Sequence, residues 1–384
     1  MLVQRLWLRD FRSYATAELT LSDGLTVVQG RNGAGKTNVL EALGYLASLK
    51  SFRGAPNEAM VRLGAERAIV RGEAVVERRE VLLEAEISPT GRGRTLVNKQ
   101  PLRRARDLLG VLRVSVFSPD DLILVKGGPG ERRDWLDDAL IAMHPRHGQS
   151  IDELDRVLRQ RNALLKQAGG RLNDSAALTL DVWDAKLAEV GTTVAADRTA
   201  LLAKVAPLLG LSYDDIAEAP LIVGVDYVSS WWSGEAGLAG ALERGRSDDV
   251  RRGLSLVGPH RDDVALTMGG RPSRTHASQG EQRTLALAMR LAVHRLVALE
   301  LGWTPVLLLD DVFSELDPNR SAALVRNLPG GQALLATATD IPAGMAVASI
   351  LDVELRPDGS TTRTRSPVDK PVDSVDEIAQ ERAR

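Results

Sequence analysis

The sequence predicts an α/β protein whose phosphate-binding head is assembled from the N- and C-terminal segments of the chain and interrupted by an inserted helical arm. Three observations carry this expectation. Gly30-Arg-Asn-Gly-Ala-Gly-Lys-Thr37 matches G-x-x-x-x-G-K-[ST], with a β-rich run before it and a helical pattern after it. The continuous apolar run at 306–309 ends in Asp310-Asp311 and reads as a fully buried strand. Between the two, from about Glu131 to Pro207, apolar residues recur every three or four positions, as helices require.

The elements follow in chain order. Residues 2–8 alternate apolar and polar, the pattern of an edge or half-buried strand. Leu25-Thr-Val-Val-Gln29 leads into the glycine loop, and Val39, Leu40, Leu43, Leu46 and Ala47 mark the helix after it. Residues 67–97 read as several strands broken at Gly72 and Pro89-Thr-Gly91, and 111–117 as another, stopped by Ser118-Pro119. After Gly127-Gly-Pro-Gly130 the pattern turns helical. Ile151, Leu154, Leu158 and Leu165 mark one face, and Trp183, Leu187, Val190, Val194 and Leu201 another, with a turn at Gly169-Gly170 and Asn173-Asp174. That spacing suits a helix pair or short coiled coil, and equally an ordinary bundle. Strand composition returns at 221–228, while 245–252 is polar and reads as a loop. A helix is expected over 280–301 and strands at 306–309, 333–337 and 350–355. The expected division is 1–125 for the first part of the head, 126–210 for the arm and 211–356 for the second part of the head. Residues 357–384, charged and carrying Pro367 and Pro371, read as a disordered tail.

Composition excludes several classes of function. Hydrophobic residues make up 44% of the 384, enough for a substantial core, so the chain as a whole is not disordered. There are no cysteines, which removes disulfide scaffolds, iron–sulfur clusters, thiol nucleophiles and Cys-based zinc sites. Arg5, Arg9 and Arg12 interrupt the apolar residues of the N-terminus, so it does not read as a signal peptide. No apolar stretch approaches the roughly 18 residues of a membrane span, and a cytoplasmic location is expected. With 49 Lys+Arg against 51 Asp+Glu the net charge is −2, which excludes a globally basic nucleic-acid binder but leaves room for a local basic face.

The glycine loop has the chemistry of a phosphate cradle. Its glycines let backbone N–H groups turn inward around phosphate oxygens, and the following helix points its positive end at the same anion. The expected nucleotide-binding segment is Gly30, Arg31, Asn32, Gly33, Ala34, Gly35, Lys36, Thr37 and Asn38. Lys36 is expected to reach the β- and γ-phosphates of ATP, and the Thr37 hydroxyl to ligate Mg²⁺. Asp310, at the end of the buried strand, is the expected metal residue. Asp311 is the expected general base, which with Lys36 makes the catalytic pair. Ala277-Ser-Gln-Gly-Glu-Gln282 opens a long helix, where a serine hydroxyl, a glycine N–H and a helix N-terminus form a further anion site. Taken singly, these patterns also describe a glycine turn, two acids capping a strand and a capped helix.

In series, the motifs resemble those of ATP-binding-cassette ATPases. The resemblance implies that Ser278, Gly280 and Gln282 meet the nucleotide of a second copy, so that two chains sandwich two ATP molecules. Ser314-Glu-Leu-Asp317 resembles the D-loop of that family. The stretch from Lys36 to Ser278 is longer than in transporter cassettes and lacks the long coiled coil of chromosome-maintenance proteins. Asn32 and Asn38 add to the pattern, as do Leu8-Arg-Asp-Phe-Arg-Ser-Tyr14, Lys50-Ser-Phe-Arg53, Phe117-Ser-Pro-Asp-Asp-Leu122, Val125-Lys-Gly127, Arg132-Arg133, Gly258-Pro-His-Arg-Asp262 and Leu309-Asp-Asp-Val-Phe-Ser-Glu-Leu-Asp317. With them, residues 1–355 resemble the RecF family of bacterial recombination mediators. That resemblance implies a weak, DNA-stimulated ATPase and an ATP-dependent homodimer that clamps duplex DNA, including single/double-strand junctions. It also implies recombinase loading at gaps with RecO and RecR, near the nucleoid and away from membranes. The alternatives are a transporter's ATPase subunit and a structural DNA clamp that does not hydrolyse ATP.

The chain departs from the cassette pattern in three places. Asp311 stands where Glu is usual, which suits a slow, switch-like ATPase. Leu334-Leu-Ala-Thr-Ala-Thr339 offers Thr337 or Thr339 in place of the switch histidine. No Q-loop glutamine is evident, and Asp120 and Asp121 occupy that region. Basic clusters at Arg103-Arg104 with Arg106, at Arg156, Arg159, Arg161 and Lys166, and at Arg244, Arg246, Arg251 and Arg252 suit a duplex backbone as well as plain solvated surface. His144-Pro-Arg-His147 reads as a surface turn.

Overall fold

A computed structural model of the protein describes residues 1–365, apart from positions 92, 218 and 233–235. The first segment supplies β1 (Leu2–Phe11), β2 (Tyr14–Thr20), β3 (Leu25–Gln29), α1 (Lys36–Ser48), α2 (Asn57–Met60), β4 (Ala68–Val76), β5 (Arg79–Ile87), β6 (Arg94–Val97), β7 (Gln100–Pro101) and β8 (Val114–Phe117). The middle is mostly helical, with α3 (Ile123–Lys126), α4 (Pro129–Met143), α5 (His147–Ala168), α6 (Asp174–Asp214), β9 (Val223–Val228) and α7 (Gly237–Arg252). The last segment returns to the head with β10 (Asp263–Met268), β11 (Arg271–Pro272), α8 (Ser273–His276), α9 (Gln279–Leu301), β12 (Val306–Asp310), α10 (Pro318–Asn327), β13 (Ala333–Thr337), β14 (Val347–Arg356) and β15 (Gly359–Arg365).

Among the described residues the strands form three sheets. The order β15-β14-β3-β13-β12-β8 is parallel except for β15, and it joins strands from both ends of the chain. The order β2-β1-β4-β5-β6-β7 is antiparallel, and β11-β10-β9 forms a small third sheet. Helix α1 lies between the two large sheets. Val39, Leu40, Leu43 and Leu46 pack with Leu6 and Val70 of one sheet and with Leu308 and Leu334 of the other. The opposite face of the parallel sheet, through Val27, Leu307, Leu309 and Leu335, packs on Leu287 and Leu291 of α9 and Leu324 of α10. Burial on both faces is why 306–309 is uniformly apolar rather than alternating.

Several expectations need correction. Of the two readings of β1, the half-buried one holds and the edge one does not, because β1 pairs with β2 on one side and β4 on the other. The tail does not begin at 357. Gly359–Arg365 is a strand hydrogen-bonded along β14, and of the expected tail residues 366–384 lie outside the description. Its run of Ser, Thr and Arg carries no apolar alternation, so backbone pairing at the sheet edge decides its structure. Residue 210 is not a boundary either, since α6 continues through Pro207 to Asp214. Leu201, Leu202, Val205, Leu209 and Tyr213 of α6 pack against Leu285, Met289 and Leu296 of α9, so the arm is rooted in the head. That contact holds the helix through a residue that removes one backbone bond. Residues 245–252 belong to helix α7, whose sparse Leu238, Ala241 and Leu242 pack with α5 and α6, so tertiary contact rather than local periodicity makes it helical.

Arg161 is not a surface cation. Its side chain is fully buried, with Nε donating to Asp184 Oδ1 at 2.7 Å and Nη1 to Asp249 Oδ2 at 2.7 Å and Ser255 Oγ at 2.8 Å. It ties α5 to α6 and α7. Removing one partner of a buried ion pair costs about 3–5 kcal/mol, because the other charge is left unpaired. Arg161→Met is therefore expected to lower the urea midpoint by that much stability. Exposed Arg159→Met should change it by less than about 0.5 kcal/mol, and equal midpoints for the two variants would remove Arg161 from the arm's framework. His147 is likewise no surface residue: it is buried between Asp197, at 3.0 Å, and Asp137, at 3.3 Å. Among the described residues no helix is long and apolar enough to cross a membrane.

Candidate functional site

The glycine loop joins β3 to α1, and four of its carbonyls accept side-chain hydrogen bonds. Lys36 Nζ donates to Gly30 O at 2.9 Å and Arg31 O at 3.1 Å. Ala34 O accepts from Ser360 Oγ at 2.7 Å, and Gly35 O accepts from Tyr14 Oη at 3.1 Å. The first-turn N–H groups of α1, at Lys36 and Thr37, have no intrahelical acceptor and remain for an anion. Two glycines are required by contact. A Cβ on Gly30 would come within 2.2 Å of Val353 O, and one on Gly35, where φ is +109°, would meet Ser13 Oγ at 2.8 Å. Lys36 is buried, which pulls its pKa down, while Asp311 and Asp310 push it back up.

The parallel sheet brings Asp310 to this loop although the chain separates them widely. Thr37 Oγ1 donates to Asp310 Oδ1 at 2.7 Å, so the two expected metal residues meet. Burial raises the Asp310 pKa above the ordinary carboxylate value; Thr37 and Arg53 oppose the shift, and Asp311 and Asp120 add to it. Asp311 follows in a left-handed conformation, φ +49°, held by its N–H to Ala336 O at 2.9 Å. Asp and Asn are the non-glycine residues that visit this region most readily. Strain of this kind persists where the surroundings over-determine it, here at the expected base.

Ser278 caps α9 in a capping box: its Oγ accepts from Glu281 N at 3.3 Å, and its N–H donates to Glu281 Oε2 at 2.7 Å. Ser278 is exposed and Gly280 partly so. A Cβ on Gly280 would come within 2.4 Å of Arg320 Nη1, so this glycine lets the α10 arginine lie over the motif. Gln282 does not join it. It is buried, with Nε2 donating to Ser273 O and Arg274 O, both at 3.1 Å, and so braces the segment before the helix. Asp317 caps α10 by accepting from Arg320 N at 2.9 Å. Thr337 and Thr339 hydrogen-bond to each other at 3.1 Å. Asp121 is buried and paired with Arg290 of α9 at 2.7 Å, which leaves exposed Asp120 as the acid of that loop facing the site.

Sequence reasoning missed several contributors. Arg53 acts electrostatically on Asp310, beside Asp120 of the region already singled out, and Ser13, Tyr14 and Ser360 hold the loop from behind. Arg12 reaches buried Glu41 of α1 through Nε at 2.7 Å and Nη2 at 2.6 Å. The motif segments carrying Arg12, Ser13, Tyr14 and Arg53 were visible but not their partners, and Ser360 lay in the expected tail, because each contact crosses between elements. Of the basic clusters, Arg156 pairs with Glu153, Arg246 with Asp181 and Arg251 with Asp248. Arg103, Arg104, Arg159, Lys166, Arg244 and Arg252 are exposed, and the Arg106 side chain lies outside the description. Among the described residues no group of three or more His, Asp or Glu is placed to hold a metal by itself.

Comparison with known proteins places this geometry. The RecF/RecN/SMC N terminal domain family matches residues 2–333. The DNA replication and repair protein RecF of Nocardioides sp. is 42% identical, the match covering 90% of this chain and 96% of that protein. The RecF of Streptomyces avermitilis is also 42% identical, with the same coverage. A solved structure described as the recombination mediator protein RecF-ATP in the RecFOR pathway superposes with a TM-score of 0.85 at 27% identity, covering 95% of this chain and 99% of that one. On the strength of its loop, its paired acids, its capped signature helix and these matches, the chain belongs to the RecF family of DNA replication and repair proteins.

Proposed function

We propose that the protein is an ATP-dependent recombination mediator: two copies close on two ATP molecules, hold DNA while closed and release it on slow hydrolysis. The observation that carries the reading is the placing of α1 and α9 on opposite faces of one parallel sheet, with Leu308 packing on the α1 side and Leu307 and Leu309 on the α9 side. On this reading Ser278, exposed at the start of α9, meets a partner's nucleotide rather than the loop that begins α1. The solved RecF-ATP relative supports the choice of nucleotide.

Within each site Lys36 leaves its loop carbonyls for the β- and γ-phosphates, and the N–H groups of Lys36 and Thr37 bind the same oxygens. The oxygens of Thr37 and Asp310 suit Mg²⁺, a hard ion that keeps several waters and would neutralise charge on the phosphates. Asp311 takes the proton of the attacking water. Asn keeps the left-handed turn but cannot take that proton, so Asp311→Asn is expected to bind ATP and to dimerise while phosphate release falls about a hundredfold or more. Equal turnover in variant and parent would move the base elsewhere, with Asp120 the nearest alternative.

DNA contact rests on exposed cations, and recruitment of RecO and RecR, in the cytoplasm at the nucleoid, rests on the family. The test is light scattering and duplex binding with ATP and Mg²⁺. ATP should convert monomer to dimer and tighten DNA binding, and affinity should fall linearly with the logarithm of salt, with little dependence on sequence. Arg159→Glu with Lys166→Glu should reduce that salt slope; an unchanged slope would return both residues to ordinary surface. A protein that stays monomeric with ATP and DNA would overturn the reading.

A further inference from the structure

We propose that Ser360, on the final described strand, is a positioning residue for the nucleotide loop and acts through a hydroxyl relay with Ser13. The proposal rests on the ATP reading above and adds a part of the chain that the motifs do not touch. Asn38 Nδ2 lies 2.9 Å from Ser13 Oγ, Ser13 Oγ lies 2.7 Å from Ser360 Oγ, and Ser360 Oγ lies 2.7 Å from Ala34 O. Asn38 donates to Ser13, and the Ser360 hydroxyl is placed to donate to both Ser13 Oγ and Ala34 O, sharing its one proton between them. The bonds form one connected network in which each link depends on the others.

The ends of the relay explain its effect. Ala34 and Asn38 flank Lys36 and Thr37, the two side chains aimed at the phosphates and metal. The relay therefore clips the turn that carries both of them. The two hydroxyls also lie against the bare face of Gly35, where a Cβ would stand 2.8 Å from Ser13 Oγ and 2.9 Å from Ser360 Oγ. Ser360 is 3% exposed, and its own N–H donates to Ser13 O at 2.8 Å. Strand β15 thus closes one side of the loop, with both hydroxyls packed against Gly35. A residue acting this way sets how much of the loop population is ready for ATP, which changes affinity more than the chemical step.

The experiment compares the full-length parent with Ser360→Ala, Ser13→Ala and the double variant. Fluorescent ATP binding, phosphate release across ATP concentrations and thermal melting without nucleotide are the measurements, with Lys36→Ala as the binding-negative control. Each single variant should weaken ATP binding by about tenfold and raise KM in step, while kcat at saturating ATP stays within about twofold. The double variant should bind about as weakly as either single, because one broken link disables the whole relay. Ser13 is partly exposed, so Ser13→Ala keeps the test valid if Ser360→Ala melts early. Parent-like ATP affinity in Ser13→Ala, or losses that multiply in the double variant, would overturn the relay. A parent that binds no ATP would instead overturn the nucleotide reading, and the purpose of the relay with it.

Discussion

Lys36→Ala is expected to weaken ATP binding on the order of a hundredfold and to abolish hydrolysis. The ammonium is buried at the start of α1 beside Asp310 and Asp311, and two loop carbonyls preset its position. In a site shielded from water each charge-assisted hydrogen bond contributes about 1.5–3 kcal/mol, and its loss leaves phosphate charge uncompensated. The fold itself should survive, because the Lys36 bonds are internal to the loop and the core packs around Val39, Leu40 and Leu43. Equilibrium binding of a fluorescent ATP analogue and phosphate release would check both parts. Normal hydrolysis by this variant would show that the loop is not the phosphate site.

Ser278→Arg is expected to leave ATP binding by the monomer intact and to block ATP-driven dimerisation, and hydrolysis with it. Ser278 is exposed at the start of α9, a helix that packs on the sheet face opposite to α1, and in the sandwich reading a bulky cation there meets the partner rather than its own loop. In a composite site it stands where the partner's γ-phosphate and serine should meet. Mixing sharpens the result. Homodimers of either Lys36→Ala or Ser278→Arg have two defective sites, whereas their heterodimer carries both defects in one site and keeps the other whole. Partial recovery of ATP turnover in the mixture is the expected outcome, with light scattering reporting the dimer. Normal ATP-dependent dimerisation of Ser278→Arg would sink the sandwich arrangement and most of the case for a DNA clamp.

The sequence by itself determined the parts whose chemistry is local. The glycine loop had to precede a helix because only glycines allow its turns, and the apolar run before Asp310 had to be a covered strand. The helix opened by Ser278 follows from its own capping box. Tertiary structure decided whatever depends on partners far away in the chain. Arg161 and Arg159 look alike in sequence, yet one sits among Asp184, Asp249 and Ser255 and the other lies in solvent. Gln282 belongs to the signature pattern, but its amide is spent on the carbonyls of Ser273 and Arg274. Strand β15 has no apolar signal, and its place comes from backbone pairing with β14 and from Ser360 meeting Ser13 and Ala34. The physical reason is the same in each case. Backbone preference and hydrophobic period act over a few residues and can be read along the chain, whereas charge pairing, burial and edge pairing depend on which distant groups the fold brings within about 3 Å.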